Sequence, residues 1–119
     1  MSTLKVNTIE EATSGGATYF TAKAWVNFNG TGTVAIRADG NVSSMVDYGT
    51  GLFGYNLQNA ASDANGASVA TFTQTINPVD SFGLVGTATI TSSLVQLSAY
   101  NTFSNGWIDA PYFNGVFIR

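Results

Sequence analysis

The sequence predicts an all-β protein, an antiparallel β-sandwich of the jelly-roll kind, on three observations. Val, Ile and Thr are frequent and join eight Phe, five Tyr and two Trp, residue types that suit a pleated, half-buried surface. Runs in which apolar and polar residues alternate recur along the chain with the period of two that a strand imposes. Gly, Asn and Ser interrupt these runs about every eight to twelve residues, the rhythm of a sandwich or barrel. No stretch sustains helical periodicity, so little or no helix is expected.

Each element follows from local chemistry. Residues 1–16 (MSTLKVNTIEEATSGG) read as an N-terminal arm with one short strand at Leu4–Ile9, closed by a Ser-Gly-Gly hinge, ahead of a sandwich domain at 17–119. Glu10 and Glu11 in that arm read as a solvated turn. From Tyr19 to Asn29 the alternation sharpens: Phe20, Ala22, Ala24, Val26 and Phe28 form one face, and Tyr19, Thr21, Lys23, Trp25 and Asn27 the other. Both faces carry aromatics, so a core can cover one and a second surface the other.

Asn29-Gly30-Thr31-Gly32 then predicts a tight turn, followed by a strand at Thr33–Arg37 with Val34 and Ile36 inward. A second turn is expected at Ala38-Asp39-Gly40-Asn41. Strands at Val42–Val46 and Leu52–Leu57 flank the bend Asp47-Tyr48-Gly49-Thr50-Gly51, with Phe53, Tyr55 and Leu57 on one face. Asn59–Gly66 is small and polar, a surface loop. Ala67–Ile76 alternates again, Ala70, Phe72 and Ile76 against Thr71, Thr73 and Thr75, and Asn77-Pro78 closes it. Ser81–Ile90 and Ser93–Tyr100 form a hairpin across Thr91-Ser92. The aromatic-rich loop Asn101–Tyr112 leads into a last strand, Phe113–Arg119.

Composition excludes much chemistry. The chain has 119 residues with no Cys and no His, which removes thiolate nucleophiles, disulfides and the imidazole of most neutral-pH acid/base and zinc chemistry. Charged residues make up 9% of the chain, against roughly 25% in an average soluble domain. Four Lys and Arg against seven Asp and Glu, a net charge of −3, argue against nucleic-acid binding, which needs clustered cations. No apolar run approaches the ~20 residues of a membrane-spanning helix, and the opening Met-Ser-Thr-Leu-Lys-Val does not read as a signal peptide's apolar stretch. One domain of this length can bury a sizeable core without staples. A surface poor in charge suits a protein whose copies cover one another.

Few residues are candidates for a site. Asp47, Asp80 and Asp109 each neighbour turn residues, where Asp caps its own backbone, and paired glycosidase carboxylates need rigid, defined separation; no catalytic residue, cofactor or metal is expected. The glycine-rich pieces at 29–32 and 49–54 lie between strands with no helix or Lys following, so they read as hairpin turns and not phosphate loops. Trp107, with Asn105, Asp109 and Tyr112 in one loop, is the constellation that suits a shallow sugar site, an aromatic face with directed hydrogen-bonders. The competing reading is that Trp107 packs under its own loop or against a subunit. Leu4, Val6 and Ile9 of the arm, with Lys23 and Trp25 of the two-faced strand, are the candidate subunit contacts.

The run Ala22-Lys23-Ala24-Trp25-Val26-Asn27-Phe28-Asn29-Gly30-Thr31-Gly32-Thr33-Val34-Ala35-Ile36-Arg37, continued by Asn41-Val42-Ser43-Ser44 and Asp47-Tyr48-Gly49-Thr50-Gly51, resembles a module of virion structural proteins of tailed bacteriophages, including tail fibres of cyanophages and other marine phages. The start Ser2-Thr3-Leu4-Lys5-Val6-Asn7, with Ser14-Gly15-Gly16, is similar to the start of those proteins. The resemblance covers roughly residues 2–51; beyond it, Leu52-Phe53-Gly54-Tyr55-Asn56-Leu57 stands where family members commonly carry Asp-Tyr-Thr-Val-Asn-Phe. A short sandwich of this kind also looks like the trimeric H-type-lectin arrangement. The resemblance implies a non-enzymatic virion component, a homotrimer in a tail fibre or fibre tip that contacts other virion proteins and the host surface, including its glycans. The alternative is a decoration protein on the outside of the phage head.

Overall fold

The structure is a computed structural model that describes residues 2–5, 22–73, 83–101 and 105–118, with the backbone alone over 83–90. Among the described residues nine strands follow one another: β1 (Ala22–Asn29), β2 (Ala35–Gly40), β3 (Val42–Gly49), β4 (Leu52–Leu57), β5 (Ala67–Thr73), β6 (Gly83–Ile90), β7 (Leu94–Asn101), the two-residue β8 (Gly106–Trp107) and β9 (Tyr112–Ile118). The described residues contain no helix. All pairings are antiparallel, and they form two sheets. The first has the order β2-β1-β9-β5, the second β3-β4-β7-β6 with β8 beside β7. The protein is an antiparallel β-sandwich.

The alternation in the sequence decides which face of each sheet is inside. Ala24, Val26 and Phe28 of β1 are buried, as are Phe113 and Phe117 of β9, Phe53, Tyr55 and Leu57 of β4, and Val95, Leu97 and Ala99 of β7. The core is ordered by rings: Phe28 and Phe113 stack at 4.9 Å and 10°, while Phe53 meets both, at 5.3 and 5.0 Å. Phe72 adds a tilted contact to Phe113 at 5.6 Å. Offset and edge-to-face pairs of this kind contribute about 0.5–1.5 kcal/mol each beyond their buried area.

Two glycines make room for this core. A Cβ at Gly30 would lie 2.6 Å from the ring of Phe113 and 3.0 Å from the Ala110 carbonyl. Gly51 has φ +69°, and a Cβ there would meet the Ala99 carbonyl at 2.6 Å.

The expected turn at Ala38-Asp39-Gly40-Asn41 is corrected. β2 runs on through Gly40, and the direction changes at Asn41 alone, whose φ of 60° is left-handed. The reason is a bulge: Phe28 pairs with Ile36 but Asn27 pairs with Ala38, so Arg37 is the extra residue. The bulge sets Ala38 and Gly40, not Asp39, on the outer face, and the strand reaches the corner where the chain leaves the first sheet for the second. Asn41 holds that corner, donating through Nδ2 to the Lys23 and Asn59 carbonyls at 2.9 Å each.

The arm and sandwich boundary at residue 16, the first residues of the two-faced strand at 19–21, Val6, Ile9, Asn77-Pro78 and Asp80 lie outside the described residues.

Candidate functional site

The four residues of the aromatic-rich loop are placed on different parts of the sandwich. In β7, Ala99 and Asn101 are buried, so Tyr100 between them points outward from the second sheet. β8 pairs with it, Tyr100 opposite Trp107 and Asn101 opposite Gly106. The two rings meet edge to face at 5.3 Å and 84°. The Tyr100 hydroxyl donates to Asn105 Oδ1 at 2.6 Å, and Asn105 sits at φ 54°. Trp107 and Asn105 are thus brought together through Tyr100, and the indole remains 53% exposed.

Asp109 is engaged elsewhere. Its Oδ1 accepts the Gly51 N–H at 2.8 Å, while the Gly51 carbonyl accepts the Ala99 N–H at 2.7 Å. These bonds tie the β3–β4 turn to the chain that follows β8, and they orient the carboxylate inward to backbone. Asp47 makes the same kind of local bond, accepting the Gly49 N–H at 2.9 Å.

Tyr112 belongs to the opposite side of the sandwich. It alternates with buried Phe113 on β9 and faces out from the first sheet, where the Arg37 guanidinium carbon lies 4.4 Å from its ring centroid. The bulge in β2 keeps Arg37 and Ala38 together on that outer side, and from there the long side chain crosses β1 to reach β9.

The same outer face holds the candidate subunit contacts of β1. Trp25 pairs with Gly40 on β2 and with Val116 on β9, which in turn pairs with Val69 on β5. One row across the sheet therefore reads Gly40, Trp25, Val116, Val69. The absent side chain of Gly40 leaves space that the Trp25 indole fills. Trp25 is 44% and Val69 58% exposed, an apolar row facing water. Lys23, the extra residue where the register of β1 against β9 shifts between Ala22 and Ala24, is exposed beyond Trp25, and Leu4 is exposed, with residues 2–5 in no strand.

The next row is polar. Asn27 pairs with Asn114, and Asn114 with Thr71. Asn27 Nδ2 donates to Asn114 Oδ1 at 2.7 Å and to the Phe113 carbonyl at 3.3 Å, and Asn114 Nδ2 donates to Thr71 Oγ1 at 3.4 Å.

Sequence reasoning placed Lys23, Trp25 and Asn27 on one face but missed Tyr100, Arg37, Val69, Val116, Asn114 and Thr71. Periodicity within a strand assigns a face to a residue, whereas only the strand order shows which residues on other strands share it. No family model, no curated protein and no solved structure matches this chain.

Among the described residues, no three His, Cys, Asp or Glu side chains gather where a metal could sit. The outer faces carry exposed rings and apolar residues beside hydrogen-bonded amides.

Proposed function

We propose that this protein is a non-enzymatic structural component of a bacteriophage virion, a tail-fibre or fibre-tip subunit that assembles as a homotrimer and meets the host surface. The observation that carries the assembly is the outward row Trp25, Val116, Val69 across three strands of the first sheet, in which Trp25 and Val69 are exposed and Val116 between them half-buried. Contiguous apolar surface of this kind marks an interface with another molecule, and obligate interfaces are the apolar ones. The low charge of the chain agrees, since a covered face needs no charge to remain apart from its neighbours. The virion setting and the three-fold state rest on the resemblance over residues 2–51.

The test is incorporation into particles. Phage carrying Trp25→Asp with Val69→Asp are expected to lose the protein from purified virions, and so are phage in which residues 1–16 are deleted. Normal occupancy in the double variant would refute assembly through this face.

A second reading, contact with a host glycan through Trp107, is favoured by the exposed indole held against Tyr100 beside an ordered Asn105 amide. Shallow sugar sites work by stacking on such a ring with a few directed hydrogen bonds. Trp107→Ala is expected to lower adsorption to host cells and leave the oligomeric mass unchanged; unchanged adsorption would remove this reading.

A further inference from the structure

We propose that the polar end of the first sheet's outer face is a second binding site, one for acidic saccharides, in which Arg37 on Tyr112 receives a sugar carboxylate and the Asn27–Asn114–Thr71 row receives hydroxyls. This site lies on the side of the sandwich opposite Trp107, one row along the same face from Trp25, Val116 and Val69, so it is open in the assembly where the partner covering that apolar row stops short of Asn27, Asn114 and Thr71.

The charges point to an anion. The protein carries a net −3, yet the two cations of β1 and β2, Lys23 and Arg37, border this one face. The described carboxylates are turned to backbone instead: Asp39 Oδ1 accepts the Val42 N–H at 3.4 Å and Asp63 Oδ1 the Asn65 N–H at 2.8 Å, as Asp47 and Asp109 accept those of Gly49 and Gly51. Among the described residues no carboxylate pairs with Arg37. Its guanidinium carbon lies 4.4 Å from the Tyr112 ring centroid, and no acceptor among the described residues takes its N–H edge. That edge is the planar fork that matches a carboxylate with two parallel hydrogen bonds.

The amide row points to a saccharide. Both hydrogens of Asn27 Nδ2 are used, so Asn27 offers its Oδ1 as an acceptor. Asn114 uses one amide hydrogen on Thr71 and keeps the other, and Thr71 keeps its hydroxyl hydrogen. The row therefore presents an acceptor at one end and donors at the other, fixed before any ligand arrives, and each sugar hydroxyl is both donor and acceptor. The half-exposed Tyr112 ring supplies the apolar face against which a pyranose packs. An acidic peptide would satisfy Arg37 but has no hydroxyls for the row.

The experiment is affinity electrophoresis of the full chain, in gels containing alginate (a linear polyuronate), dextran (a neutral glucan) or poly-glutamate, at low ionic strength. Alginate is expected to retard the protein and dextran is not, with poly-glutamate at least tenfold weaker than alginate. Arg37→Gln and Tyr112→Ala are each expected to weaken alginate binding tenfold or more, and Arg37→Lys nearly as much because it retains charge without the fork. Trp107→Ala is expected to bind as the unmodified chain does, which separates this site from the other face. Circular dichroism and solution mass of each variant confirm that fold and assembly are retained. Absence of alginate retardation, equal binding of poly-glutamate, or full binding by Arg37→Gln would overturn the proposal.

Discussion

Asn41 and Asn59 close a reciprocal pair of hydrogen bonds across the corner of the sandwich: Asn41 Oδ1 accepts the Asn59 N–H at 2.8 Å, and Asn41 Nδ2 donates to the Asn59 carbonyl at 2.9 Å. A second hydrogen of the same Nδ2 reaches Lys23 on β1 at 2.9 Å, so one side chain holds three separate stretches of backbone. Its left-handed φ of 60° is tolerated because Asn is among the few residues that visit this region readily. Asn41→Ala is expected to cost about 2–4 kcal/mol, from lost hydrogen bonds at about 1 kcal/mol each plus the backbone penalty. Asn41→Gly relieves the backbone and should cost less. Urea unfolding midpoints with an unchanged slope check the order.

Gly30 and Gly40 are both overlaid by an aromatic ring, and their substitution should separate buried from exposed packing. The Phe113 ring over Gly30 is fully buried and stacked on Phe28, so Gly30→Ala forces the core apart at a cost of about 1–3 kcal/mol or more. The Trp25 ring over Gly40 is half exposed and can swing away. Gly40→Ala should cost under about 1 kcal/mol and reveal itself as a change in tryptophan emission.

Tyr55 gives the fold an alkaline limit. Its hydroxyl is buried and, like Ser68 Oγ, has no hydrogen-bond partner of good geometry, while its ring lies over Gly115. Burial raises the phenol above its ordinary value, and the neighbouring Ser68 hydroxyl offsets part of that rise. The unfolded chain therefore loses this proton at lower pH than the folded one, so the unfolded state binds fewer protons above about pH 10 and stability falls as pH rises. Tyr55→Phe should remove this part of the alkaline loss. At pH 7 it should be close to neutral, because it deletes a buried hydroxyl that lacks a good partner. Stability measured from pH 7 to 11 on both proteins tests the sign.

Asp109 is expected to act in stability and not in recognition. Asp109→Ala leaves the half-buried Gly51 N–H without its acceptor, at a cost of about 1–3 kcal/mol. Asp109→Asn retains an oxygen for that bond and should lose less. Thermal unfolding gives the ranking, and saccharide binding by Asp109→Asn should equal that of the unmodified chain.

The legible parts of the molecule are those in which strand periodicity alone assigns a face. Ala24, Val26 and Phe28 were readable as core, and Trp25 and Asn27 as the other surface, because β1 alternates without interruption from Ala24 to Phe28; Ala22, expected on the core face, is exposed, because Lys23 is an extra residue against β9. The β2 bulge was not readable, since Asp39-Gly40-Asn41 carries the residues of a turn and nothing local marks Arg37 as an extra residue. Nor was the separation of Trp107 from Tyr112, five positions apart in sequence but on opposite sides of the sandwich. Those positions hold the change from one sheet to the other, which is decided by pairing with β7, just before them, and with β1, far away in the chain. Asp109 looked like a ligand for the same reason: its partner, Gly51, lies 58 residues away.

The central claim, assembly through the outer face of the first sheet, is tested most directly by the solution mass from light scattering at micromolar concentration. The unmodified chain is expected at about three times 12.4 kDa, and Trp25→Asp with Val69→Asp at the mass of a single folded chain. An unmodified protein that runs as a 12.4 kDa monomer, or a double variant that keeps the full oligomeric mass, would contradict it.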